Sequence, residues 1–230
     1  MMEKYAVIVA GGSGERMGSA IPKQFLQILQ KTILWYSVKA FLSSYPDMHI
    51  ILVLPEEYIQ KGKDSVADLS PLYPIQLITG GKTRFASVKN GLQLVNEPAV
   101  IFVHDAVRCM VSTQLIQKCF EQTLEKGSAV PAIAATDSIR MIEGNTHRVA
   151  DRNLIRIIQT PQTFMSTLLL PAFEMDYRDA FTDEATVVEA SGKNIELIEG
   201  EYENIKITRP TDLLIAEKII AERSMLDESK

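Results

Sequence analysis

The chain has 230 residues, 46% hydrophobic and 23% charged, with a net charge of −5 and two cysteines. Ordinary apolar content with little charge per residue excludes disorder, and the length suits one large domain. No apolar run approaches the ~18–20 residues of a spanning helix, net acidity speaks against a general nucleic-acid binder, and Cys109 and Cys119 match no metal or redox spacing. The expectation is a cytoplasmic globular protein in a reducing compartment.

The opening MMEKYAVIVAGG reads as a first strand and lacks the cationic and cleavage regions of a signal peptide. Short apolar, β-branched runs follow at 49–54 (HIILVL), 75–78 (IQLI), 99–104 (AVIFVH) and 128–135 (SAVPAIAA). Segments with helical spacing lie between them, at 32–44, 55–69, 83–95 and 112–127. Nearly continuous apolar strands alternating with helices predict an α/β domain, a mostly parallel sheet covered on both faces. Past about residue 136 the pattern changes. DSIRMIEGNTHRVADRNLIRIIQT reads as two short polar-rich strands around EGN, an excursion from the main sheet. A helix near 182–191, strands near 195–198 and 205–208, and a helix beginning at Pro210 complete the chain. No repeat or linker divides it, so one domain with a protruding arm is expected.

Charge is unevenly spread. Residues 16–46 carry Arg16, Lys23, Lys31 and Lys39 with no acid, and 69–96 carry Lys82, Arg84 and Lys89 with none, whereas 172–203 hold ten acids. The basic stretches coincide with glycine-rich turns. AGGSGERMGSAIPKQF (10–25) follows the first strand, but Met17 breaks a dinucleotide fingerprint and no Gly-Lys-Ser/Thr forms a P-loop. A glycine cradle followed by Arg16 and Lys23, the latter presented behind Pro22, fits a triphosphate. GGKTRFASVKNG (80–91) places a second glycine pair before a helix whose first turns offer Thr83, Arg84 and Ser87. HDAVR (104–108) puts Asp105 and Arg108 at a strand's carboxyl end, where ligands of open α/β sheets bind. His104 reads as a core-edge histidine rather than a catalyst, and no Ser-His-Asp triad is assigned. In FTDEA, Thr182 with Ala185 reads as an incomplete capping box, with Asp183 and Glu184 in the helix's first turn.

These motifs, with DR followed by TPQ (151–162) and NIKITRP (204–210), stand in the order seen in the 2-C-methyl-D-erythritol 4-phosphate cytidylyltransferases, which the chain resembles from Tyr5 to about Glu222. The resemblance implies a Rossmann-like nucleotidyltransferase domain over residues 1–230, with a β-arm at approximately 136–155 that interlocks with a second subunit in a homodimer. It implies that CMP passes from CTP to the polyol phosphate, a step of non-mevalonate isoprenoid synthesis. Arg16 and Lys23 resemble transition-state stabilisers, and Arg152 and Lys206 the pair that positions the acceptor. Ala10, Gly11, Gly12, Gly81 and Ser87 resemble cytidine-recognising positions. Asp105, Arg108, Ser138, Thr160 and Thr182 resemble acceptor-pocket positions, with Ser138 and Arg152 supplied by the partner's arm. Mg²⁺ is expected mainly on CTP phosphates with no protein ligand set.

The chain departs from the family at Cys109 (usually proline), Ser138 (threonine) and Lys82 (often acidic). A ribitol 5-phosphate cytidylyltransferase, another sugar-phosphate nucleotidyltransferase and a non-catalytic nucleotide-sensing module are the alternatives.

Overall fold

The computed structural model describes residues 2–12 and 21–228. Arg16 therefore lies outside the described residues. The first strand, β1 (Glu3–Val9), is followed after the first glycine loop by a short hairpin of β2 (Gln27–Ile28) and β3 (Lys31–Thr32). Helix α1 (Ile33–Ser44) leads to β4 (His49–Leu54), α2 (Ile59–Ser65) to β5 (Ile75–Thr79), and α3 (Arg84–Leu92) to β6 (Ala99–Asp105). Then come α4 (Thr113–Lys126), β7 (Ser128–Ala134), β8 (Ile139–Glu143), β9 (Thr146–Ala150), β10 (Arg156–Ile158) and β11 (Gln162–Met165). Helix α5 (Ser166–Ala172), α6 (Glu184–Ala190), β12 (Leu197–Glu199) and α7 (Pro210–Glu228) end the chain.

Local chemistry sets several boundaries. Thr32, Thr83 and Ser112 each accept the backbone N–H three residues on, from Trp35, Ala86 and Leu115, and so start α1, α3 and α4. Gly127, at φ 87°, ends α4 in the left-handed region. Helix α6 starts one residue later than the sequence suggested. Asp183, not Thr182, is its cap, in a reciprocal capping box with Thr186.

The strands build an eight-stranded sheet in the order β10-β7-β11-β6-β1-β4-β5, with β12 parallel to β7. β5, β4, β1 and β6 are parallel, and only β10 and β11 run against their neighbours. Strand residues alternate between two cores. Ala6, Ile8, Ile50 and Leu52 pack under α1 and α4, while Val7, Ile51, Val53 and Ile101 pack under α3, α5 and α6. This is the layered α/β arrangement that continuous apolar strands require, because both faces of the sheet must be covered. The chain passes from β1 to β4 on one side, then returns after β5 to place β6 on the other side of β1. The carboxyl ends of β1 and β6 thus flank a topological switch point.

A third apolar cluster joins Ala216 and Ile220 of α7 to Ile28, Val107, Met110 and Ile207. It clamps residues 205–208, expected as a strand, beside the β6 loop. The segment joins no ladder; Ile207 donates its N–H to the Val107 carbonyl at 2.9 Å. With Ile207 fully buried, its neighbour Lys206 faces outward.

The excursion after β7 is a two-stranded sheet of β8 and β9, with Gly144 at φ 59° opening the two-residue turn. Ile142 and Val149 on it are 71% and 66% exposed. The run RII at 156–158, read with that excursion, instead pairs with β7 in the main sheet as β10. β11 and α5, over 162–172, were not foreseen as separate elements.

Candidate active site

A cavity of about 340 Å³ opens at the switch point. Its floor is the end of β1 with Ala10, Gly11 and Gly12; one wall is the β4 end, and another is the turn from Gly80 to Ser87 at the start of α3. Lys23, Gln24, Asp105 and Lys206 complete it. The two glycine turns and the HDAVR segment, read separately in the sequence, thus meet at Gly11, Gly12, Gly80, Gly81 and Asp105.

At Gly81, on the wall, a side chain would not fit, whereas at Gly11 on the floor nothing would meet one. A Cβ on Gly81 would lie 2.4 Å from Ala86 Cβ and 3.1 Å from its backbone carbon. The Gly81 N–H donates to Ser87 Oγ at 3.1 Å, and that hydroxyl donates to the Thr83 carbonyl at 2.9 Å. Ser87 thus holds the turn that forms the wall. On the opposite side Gln24, 1% exposed, donates to the Ala10 carbonyl at 2.6 Å and ties the end of the first loop to the cavity floor. The adjacent Lys23 is mostly buried, and a Cβ on Gly12 would lie 3.6 Å from its Cε.

A chain of alternating charges enters the cavity. Glu184, at the start of α6 and 1% exposed, accepts both arms of the Arg84 fork, at 2.5 and 3.0 Å. Arg84 Nε donates to Asp105 Oδ1 at 3.1 Å, and Lys206 Nζ donates to Asp105 Oδ2 at 2.8 Å. Burial alone would raise the Asp105 carboxyl; the Arg84 guanidinium and Lys206 ammonium outweigh it and hold the carboxyl well below the usual range. Burial pushes Glu184 upward against the pull of the same guanidinium. Desolvation would lower Arg84, but Glu184 and Asp105 reverse that and keep it charged. The Lys206 side chain, 41% exposed, remains open to a ligand.

Other expected residues support this arrangement from behind. Thr160 Oγ1 accepts the Asp105 N–H at 3.1 Å and lies 3.0 Å from His104 Nδ1. Arg108 donates from its two terminal nitrogens to the Asn204 and Ile158 carbonyls, at 2.8 and 3.4 Å, while its buried Nε finds no partner, and it does not line the cavity. His104 is fully buried, in keeping with its reading as a core residue, and burial lowers its pKa to about 3. Cys109 and Cys119 are buried thiols pushed up to about 12, hence inert.

Three expected residues stand apart. Ser138 and Arg152 line a shallow depression at the foot of the β8–β9 hairpin, where Arg152 donates to the Thr136 carbonyl at 2.7 Å. Thr182 is exposed just before the α6 cap. Sequence reasoning missed Gln24 and saw Arg84 and Glu184 only as parts of a helix's first turn. The signal for Glu184 was present in TDEA, but its partner lies 100 positions away.

A profile of the 2-C-methyl-D-erythritol 4-phosphate cytidylyltransferases matches residues 4–222. Proteins of that name from Phocaeicola vulgatus and Azobacteroides pseudotrichonymphae are 42% and 44% identical, covering 95% and 96% of this chain and all of their own. The crystal structure of the Thermus thermophilus protein of that name is 31% identical, with a TM-score of 0.75 over 95% of this chain and 98% of that one. The Francisella tularensis structure is 30% identical, with a TM-score of 0.79 over 94% and 99%. Motif order, the switch-point cavity and nearly full-length similarity agree, and the chain belongs to the 2-C-methyl-D-erythritol 4-phosphate cytidylyltransferase family.

Proposed function

We propose that this chain transfers CMP from CTP to 2-C-methyl-D-erythritol 4-phosphate in isoprenoid precursor synthesis. The observation that carries the reading is one cavity, floored by glycines, into which Lys23 and an Asp105-anchored Lys206 converge from opposite ends of the sequence. An acceptor phosphate oxygen attacks the α-phosphorus of CTP; a P–O bond forms, the bond to the β-phosphate breaks, and pyrophosphate leaves. The nucleophile is already an anion, so no general base is required. The difficulty is to bring two anions together while charge grows on the α-phosphoryl oxygens, and fixed cations lower that barrier. Lys23, with Arg16 seven positions before it, serves the triphosphate, and Lys206 serves the acceptor phosphate. Ala10 to Gly12, Gly81 and Ser87 shape the nucleoside end.

Magnesium, when bound, would neutralise triphosphate charge. Among the described residues no group of three or more His, Cys, Asp or Glu could hold it. Asp105 already spends both oxygens on Arg84 and Lys206, so the phosphates themselves suit the ion better than this carboxylate does.

Arg152 and Ser138 sit on the hairpin, outside the cavity of their own chain. Exposed Ile142 and Val149 on the same hairpin favour its docking on a second copy, whose cavity would receive Arg152 and Ser138. No helix among the described residues is long and apolar enough to cross a membrane, and two buried free cysteines suit a reducing cytoplasm.

The test is pyrophosphate release with CTP or UTP, crossed with methylerythritol phosphate or ribitol 5-phosphate. Turnover confined to CTP with methylerythritol phosphate is expected. Preference for ribitol phosphate, or no turnover with any pair, refutes the reading.

A further inference from the structure

The TDEA segment supplies a carboxylate that the reaction itself does not call for. Glu184 does not line the cavity and is almost wholly buried, a costly place for an acid unless something fixes it there. If α3 and α6 merely needed joining, two apolar side chains would do so without desolvating charges. The geometry of the Arg84 guanidinium supplies a reason. Both of its terminal nitrogens are held by Glu184, which leaves only the Nε edge for Asp105. In this geometry that edge meets one oxygen of Asp105 through Nε–H alone, and the other oxygen accepts from Lys206. Without Glu184 the guanidinium could turn its two-nitrogen fork onto Asp105 and take both oxygens, as Arg–carboxylate pairs prefer. Arg84 is also the first residue of α3, where the helix end disfavours a cation, so its placement depends on its partners.

We infer that Glu184 is a positioning residue for the acceptor-phosphate cation: by occupying the Arg84 fork it reserves one Asp105 oxygen for Lys206 and so fixes Lys206 over the cavity. The inference rests on the role given to Lys206 above. Glu184 touches no substrate, and it acts only through Arg84 and Asp105.

The test is a double-mutant cycle on the full chain, reading pyrophosphate release with Glu184→Gln, Lys206→Gln and both. Glu184→Gln keeps the shape and removes the charge that holds the fork. It should lower kcat/KM for methylerythritol phosphate about tenfold or more while KM for CTP moves less than about threefold, because a misplaced group distant from the chemistry still costs rate. In the Lys206→Gln background the same change should cost less than about twofold, since its route of action is already cut. A merely structural tie between α3 and α6 predicts equal losses for both substrates and additive losses in the double variant, and either result overturns the inference. If Lys206→Gln uses the acceptor as wild type does, the Lys206 role fails and this inference with it. If Lys206→Gln is impaired and Glu184→Gln is not, only the inference fails. Should Glu184→Gln lack a cooperative melt, Arg84→Gln breaks the chain at its middle link and must show the same non-additivity with Lys206→Gln.

Discussion

Acid should destabilise this protein through one buried ring before its buried carboxylates respond. His104 is 0% exposed, edge-on to Phe41 with ring centroids 5.1 Å apart. The Thr160 hydroxyl oxygen already accepts the Asp105 N–H, so its proton goes to His104 Nδ1, while Nε2–H donates to the Arg108 carbonyl. That pairing suits the neutral ring. A second ring proton would face the Thr160 oxygen and add a charge with no water. Burial accordingly lowers the pKa from 6.5 to about 3. Above pH 6.5 the ring is neutral in both the folded and the unfolded chain, and stability does not depend on it. Below that value the unfolded chain takes up a proton that the folded chain refuses, so about 1.4 kcal/mol is lost per pH unit. Over the two units down to about pH 4.5 the loss is ~3 kcal/mol, roughly 5–10 °C in Tm for a chain of this size. Urea melts of wild type and His104→Gln at neutral and acid pH measure it. Glutamine can still accept from Thr160 and donate to Arg108, so the variant should be weaker at neutral pH yet lose ~3 kcal/mol less than wild type on acidification. Parallel losses in the two proteins would refute the assignment.

Lys23→Ala should lower kcat/KM about a hundredfold or more with folding intact, as removal of a preorganised cation does; near-normal turnover would end its assigned role. Gly81→Ala forces a methyl to within 2.4 Å of Ala86, so the turn must move and the Gly81–Ser87 bond with it. A stability cost of about 1–3 kcal/mol and a raised KM for CTP are expected, and an unchanged KM would show that this wall does not face the nucleotide. Arg152→Ala should impair use of the acceptor much more than binding of CTP, which titration with each ligand separately will show. Mixing and refolding Arg152→Ala with Lys206→Gln should restore about a quarter of wild-type activity, since half the random dimers then carry one intact composite site; no recovery would mean that the hairpin serves its own chain.

The sequence by itself determined the layered α/β class, because nearly unbroken apolar strands must be covered on both faces. It also bounded the helical segments at 83–95 and 112–127 and the glycine turns, because the Thr83 and Ser112 caps and the Gly127 stop that the structure shows depend on neighbours only a few residues away. The same local logic misplaced the α6 cap by one residue, since Thr182 and Asp183 are both good caps and only the Thr186 side chain decides between them. It gave 205–208 a strand because an alternating apolar pattern does not reveal whether a partner edge is available; here α7 and Val107 hold the segment outside any ladder. Asp105, Ser87 and Lys206 were legible as polar groups beside strand ends or in motifs, but what each does was not. Lys206 meets Asp105 across 101 positions and Arg84 meets Glu184 across 100. Such pairings are written in no local window. Only the crossover that sets β6 beside β1, with α6 and the 204–209 segment folded over its end, brings the four charges into one chain and decides which oxygen is left for which cation.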